Sequence, residues 1–184
     1  MDYIYKKLLK LIGIFNKLRG KMPNNCLKSL YFALVYPHVL YGVELYVNTC
    51  KSHNARLSVL NKKLLRILQR AKIETPITML YSSYNILPIH LLFRSQMLLL
   101  VCKFMFYKEL IPPAYHDYFT TNQQVHSHYT RSFNNLHLDK FSRCIGQRCV
   151  RYLASKEWNV LPNSLKVKHS IHSFKKETYA YLIK

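Results

Sequence analysis

The stretch LKSLYFALVYPHVLYGVELYVNTC (Leu27–Cys50), resumed after a short polar break by LSVLNKKLLRILQRA (Leu57–Ala71), decides the fold class. Its apolar and aromatic residues recur at helical spacing, which predicts a mainly α chain built on a helical bundle. Leu27 to Val35 is expected as a helix. Pro37 has no N–H to donate, so a kink or break is expected near Tyr36. His38 to Val47 should resume the helix, with Gly42 permitting close packing. Tyr31, Phe32, Tyr36, Tyr41 and Tyr46 interleave with Leu and Val. That pattern points to core packing with phenols reaching the surface, and the alternative is a stacking platform for bases.

Asn54 to Lys72 is expected as one further helix. Leu57, Leu60, Leu64, Ile67, Leu68 and Ala71 fall on one face. Lys62, Lys63, Arg66 and Arg70 fall on an adjacent stripe about 100° wide. No acid occurs between Glu44 and Glu74, so no residue one turn away neutralises the stripe. A solvated face is the ordinary reading of a charge run; an unneutralised one points to phosphate contact.

Upstream, Met1 to Lys21 reads as an amphipathic helix. Ile4, Leu8, Leu11, Ile12, Phe15 and Leu18 occupy an arc of about 120° at 100° per residue. Lys6, Lys7, Lys10, Lys17 and Lys21 fall opposite, and Gly20 with Pro23 stops the helix. Downstream, Thr75-Pro76 breaks the chain and Ile77 to Tyr84 reads as a short helix or turn. Ile89 to Tyr107 is apolar nearly all round and is expected to be buried, with His90 at its start as a core or capping residue. Its greasiest run, Ser95 to Cys102, lies between Arg94 and Lys103. That run falls short of the ~20 apolar residues of a membrane span, so no membrane partner is expected. Leu110 to Leu138 reads as loop. Cys149 to Tyr152 alternates weakly, as a strand would. Ser170 is placed to cap a last helix, Ile171 to Ile183, docked by Phe174, Tyr181 and Leu182 with Lys175 and Lys176 outside.

The 184 residues carry 28 Lys and Arg against 8 acids, a formal charge of +20, which attracts a polyanion. Residues 1–72 hold 14 bases and 2 acids, residues 73–142 hold 5 and 4, and residues 143–184 hold 9 and 2. Four regions follow: a basic helical one (1–73), a neutral helical middle (74–110), a loop-rich linker (111–142) and a basic C-terminal part (143–184). Five widely spaced cysteines and no secretory leader fit free thiols in a reducing, intracellular compartment.

Catalytic patterns are sparse. Two-metal phosphoryl transfer needs converging carboxylates, and the only aspartates are Asp2, Asp117 and Asp139, with no adjacent pair. No Gly-Lys-Ser/Thr phosphate loop, His-Glu-x-x-His or Gly-x-Ser-x-Gly occurs. Cys144, Cys149, His169 and His172 match no common structural-zinc spacing. The expectation is no catalytic residue, no metal, no cofactor and no small-molecule substrate.

Several of these stretches together resemble the region after the polymerase palm in non-LTR (LINE-type, jockey-like) retrotransposon reverse transcriptases. Leu30-Tyr31 through LVYPHVLYG, with Leu60-Asn61-Lys62-Lys63 and Arg66-Ile67, is similar to that family's tyrosine-rich helix pair and following basic helix. IGIFNKLRGKMP is similar to the connector before it. Ile86-Leu87-Pro88 with Lys103-Phe104-Met105-Phe106-Tyr107-Lys108 is similar to a later helix. Thr130-Arg131, Trp158-Asn159-Val160-Leu161-Pro162, Ser170 and Phe174-Lys175-Lys176 are similar to its C-terminal tail. Tyr46-Val47-Asn48 departs from the Trp usual near that position.

The resemblance implies a thumb and C-terminal region without fingers, without a palm bearing Tyr-x-Asp-Asp, and without endonuclease. A thumb grips the template–primer backbone. The implied function is a noncatalytic fragment of an RNA-directed DNA polymerase. It would bind an RNA–DNA hybrid or duplex through Lys6, Lys10, Lys17, Lys21, Lys62, Lys63, Arg66 and Arg70, with a palm domain as a further partner. The alternatives are a helical protein-interaction module and a decayed reading frame with no activity of its own.

Overall fold

The computed structural model describes residues 2–48, 51–167 and 170–183, the side chains of residues 51–53 excepted. The fold is mainly helical, and among the described residues no strand forms. Cys50 and His169 lie outside the described residues. The chain divides into two compact units, Met1–Leu92 and Phe93–Lys184. The division falls inside the helix assigned from sequence to a neutral middle region, not at residues 73–74 or 110–111.

In the first unit, α1 (Asp2–Leu18) buries Ile4, Leu8 and Phe15. Helix α5 (Lys51–Leu68) buries Leu57, Leu60, Leu64, Leu65, Ile67 and Leu68 against it and its neighbours. Arg56 of α5 lies over the Tyr5 ring, 4.8 Å from its centroid, and Arg70 hydrogen-bonds the carbonyls of Arg19 and Met22. Early residues therefore meet early ones and late meet late, so α1 and α5 run parallel.

Between them lies a bent helical segment: α2 (Asn24–Leu30), a π-helical turn (Tyr31–Val35), α3 (Tyr36–Leu40) and α4 (Val43–Tyr46). The break expected at Tyr36 takes the form of that π turn. In an α-helix the Pro37 ring would strike the carbonyl of Ala33, and widening the preceding turn relieves this while Tyr36 N–H donates to the Tyr31 carbonyl. Gly42 ends α3 for a different reason than the expected close packing. Its φ is +65°, and nothing lies within 4 Å of where a Cβ would stand. Backbone handedness requires glycine there.

Tyr31 and Tyr46 are core residues, as expected, but Phe32 and Tyr41 are exposed. Helix α6 (Ile77–Tyr84) closes the unit through Leu80, Tyr81 and Tyr84.

Helix α7 (Ile89–Phe106) buries Leu92, Phe93, Met97, Leu98, Leu99, Val101, Cys102 and Phe104. His90 is exposed rather than part of the core. The helix continues apolar beyond both Arg94 and Lys103, so by length and composition alone it could cross a membrane, although half of it is buried within the chain.

In the second unit, the loop after α7 is held by side chains. Leu136 exchanges two 2.9 Å hydrogen bonds with the Asn159 carboxamide, and Phe104 meets Phe119 edge-on. Within this loop α8 (Asn122–Val125) forms under a Thr121–Gln124 capping box. Cys149 to Tyr152 is not a strand. Cys149 caps α9 (Val150–Val160), its Sγ accepting from Tyr152 N–H, and Ala154 and Trp158 face inward at helical spacing. Ser170 Oγ accepts from Ser173 N–H at the start of α10 (Ile171–Ile183), as expected. Phe174 packs beside Trp158 with Leu182 buried further along; Lys175 and Lys176 are exposed.

Candidate nucleic-acid interface

The basic side of α5 is built by helix phase. Lys62 and Arg66 are one turn apart and half-buried; Lys63 is exposed on the adjoining side. Arg56 reaches the same outer surface, where its guanidinium lies on Tyr5. Sequence reasoning passed over Arg56, although it stands seven residues before Lys63 on the same side of the helix. Arg66 Nε is buried with no hydrogen-bond partner.

Arg70 does not extend this stripe. The expected helix end at Lys72 falls four residues too late, because α5 stops at Leu68 and Arg70 takes the left-handed conformation with φ +53°. From there its Nε and Nη2 donate to the Arg19 and Met22 carbonyls at 2.7 and 2.8 Å, tying down the end of α1. The Arg19 carbonyl directly follows the last residue of α1 and shares the partial negative charge of that helix end, while the Met22 carbonyl belongs to the turn beyond it.

Lys6, Lys10 and Lys17 are exposed on α1, about 180° around the helix from Ile4, Leu8 and Phe15. That buried side is the one packed on α5, so these lysines face away from it. Lys21 is exposed just beyond the helix, in the turn after Leu18. The eight residues singled out from sequence therefore form three groups: an outer α1 face, the α5 side, and a structural Arg70.

No carboxylate neutralises these groups. The ion pairs of the described residues are Arg94–Glu157, Arg151–Asp139 and the His137–Asp139 contact, all in the second unit. Among the described residues no group of three or more His, Cys, Asp or Glu converges on a common point.

The Tyr cluster behind α5 is a hydrogen-bonded core. Tyr31 Oη donates to Asn61 Oδ1 at 3.0 Å with both residues buried, and Tyr46 Oη donates to the Val39 carbonyl. Burial pushes the phenols of Tyr31, Tyr46 and Tyr81 above their ordinary value and keeps them neutral. These rings serve packing and are closed to stacking bases.

Comparisons with known protein families, with curated proteins and with solved structures found no match.

Proposed function

We propose that this chain is a noncatalytic C-terminal part of a retrotransposon-type RNA-directed DNA polymerase, and that it holds the sugar–phosphate backbone of an RNA–DNA hybrid or duplex. The observation that carries the reading is the uncompensated charge of the first unit. Residues 1–72 hold 14 bases against 2 acids, and among the described residues none of those bases is ion-paired. Lys62, Lys63 and Arg66 present charge from a rigid helix. Lys6, Lys10, Lys17 and Lys21 give α1 a separate basic face. Contact with phosphates is electrostatic and independent of sequence, which suits a grip on a moving duplex.

The test is fluorescence anisotropy with a labelled RNA–DNA hybrid. Log affinity should fall linearly with log salt, by about 0.9 per phosphate contact for a B-form duplex and comparably here. Replacing Lys62, Lys63 and Arg66 together by Glu should remove most of the binding, with melting followed in parallel. Salt-insensitive binding, or a triple variant that is folded and binds as tightly as the parent, would sink the proposal.

A second reading has one observation in its favour. Tyr41 and Leu45, around the α3–α4 turn, are 76% and 75% exposed. Large apolar side chains held out from a rigid turn suit docking to another protein, such as a polymerase palm.

A further inference from the structure

A polar cleft of about 360 Å³ opens in the first unit, lined by Asn24, Asn25, Lys28, Gln69, Ser83 and Tyr84. No carboxylate is among its walls. One wall is fixed: Gln69 Nε2 donates to the Leu80 carbonyl at 2.7 Å, and Gln69 Oε1 accepts from Ser83 Oγ at 2.8 Å. The Tyr84 ring is buried beneath Lys28, whose Nζ stands 5.8 Å from the ring centroid. Asn24 and Asn25 are exposed at the first two positions of α2, so their carboxamides are open to a ligand.

The position of Gln69 connects the cleft to α5. It stands seven residues after Lys62 and three after Arg66, and its N–H still bonds the Leu65 carbonyl, so helical phase continues to it. Lys62, Arg66 and Gln69 therefore share one side of the helix. Arg66 brings along that side a buried Nε with no acceptor. The basic side of α5 thus leads directly into an acid-free cleft holding an ammonium and two open carboxamides.

We infer that this cleft is a phosphate seat at the end of the α5 track. A strand laid along Lys62 and Arg66 places one backbone phosphate between the Lys28 ammonium and the Asn24 and Asn25 carboxamides. The inference rests on the nucleic-acid reading above and deepens it, because it fixes which side of α5 the strand follows. Lys28 becomes a binding residue that the charge pattern alone did not single out, since it is the lone base between Lys21 and Lys51. The strand follows the side of Lys62, Arg66 and Gln69, and Lys6, Lys10 and Lys17 take no part in this track.

The experiment measures hybrid binding by the full chain across a salt series, comparing the parent with Lys28→Gln, Asn25→Asp and the double variant Lys62→Gln/Arg66→Gln. Lys28→Gln should lower affinity severalfold and reduce the salt slope by about 1. Asn25→Asp puts a negative charge in the cleft while favouring the first turn of α2, so it should weaken binding without lowering the melting temperature. That variant decides the matter if Lys28→Gln loses its fold. If both cleft variants bind as the parent does while Lys62→Gln/Arg66→Gln is weakened, the seat is overturned and the wider reading stands. If the parent itself does not bind, both fall.

Discussion

Asn61 shows what one residue does in this core. It lies on α5 one position before the basic side begins, yet it is 1% exposed, and its Oδ1 accepts the Tyr31 phenol. A buried carboxamide without its donor costs about 1–3 kcal/mol, so Tyr31→Phe should destabilise the first unit by that amount in urea unfolding at neutral pH. A change within a few tenths of a kcal/mol would mean that Asn61 finds another donor.

The same phenols set an alkaline limit. Burial raises the titration of Tyr31, Tyr46 and Tyr81 above 10.0, the value of the unfolded chain. Above pH 10 the unfolded state therefore holds fewer protons than the folded one, so stability falls as pH rises. Their contribution is fully present below about pH 10 and is lost as pH climbs through the folded values. Thermal melts from pH 8 to 11 should show a steep fall beyond about 10, and a shallower one in Tyr31→Phe. Equal slopes in the two proteins would remove Tyr31 from the account.

At the scale of elements, local pattern and long-range contact separate cleanly. Leu57, Leu60, Leu64, Ile67 and Leu68 announce a buried face by spacing alone, and all are buried. Ser170 announces its helix in the same way, because a cap is a local device. Cys149 to Tyr152 misled for the converse reason. Four residues cannot distinguish a weak alternation from the first turn of a helix, and what decides is Trp158 two turns later, packed beside Phe174. The role of Arg70 was not legible at all, since its partners lie 51 and 48 residues earlier in the chain. A basic stripe reads the same whether its last member meets phosphate or a helix end. Arg70→Ala should therefore act on stability, lowering it by about 1 kcal/mol at this exposed site, while Lys63→Ala should leave it nearly unchanged. A hybrid-binding loss in Arg70→Ala without a drop in melting temperature would return Arg70 to the interface.

For the whole molecule, charge is the quantity that the sequence states outright and the fold distributes. The two units share the formal +20 almost evenly, with 14 bases each against 3 acids in the first and 5 in the second, but its compensation is uneven. The second unit spends Glu157 on Arg94 and Asp139 on Arg151, at 2.8 and 3.4 Å. The first unit has Asp2, Glu44 and Glu74, with none of them ion-paired among the described residues. Its lysines and arginines therefore repel one another across the surfaces of α1 and α5, with no acid between them. Exposed charges separated by about 10 Å are largely screened once salt reaches about 0.1 M. Raising salt from a few millimolar through that range should raise the melting temperature of the first unit, and by more than that of the second, where two acids already hold arginines. Trp158, the only tryptophan, reports on the second unit alone, so its fluorescence can be set against circular dichroism, which follows both. A polyanion should reproduce the stabilisation at far lower ionic strength, because it occupies the repelling face instead of merely screening it. If added salt instead lowers the melting temperature of the first unit, its cations are already paired, and the uncompensated surface on which the nucleic-acid reading depends does not exist.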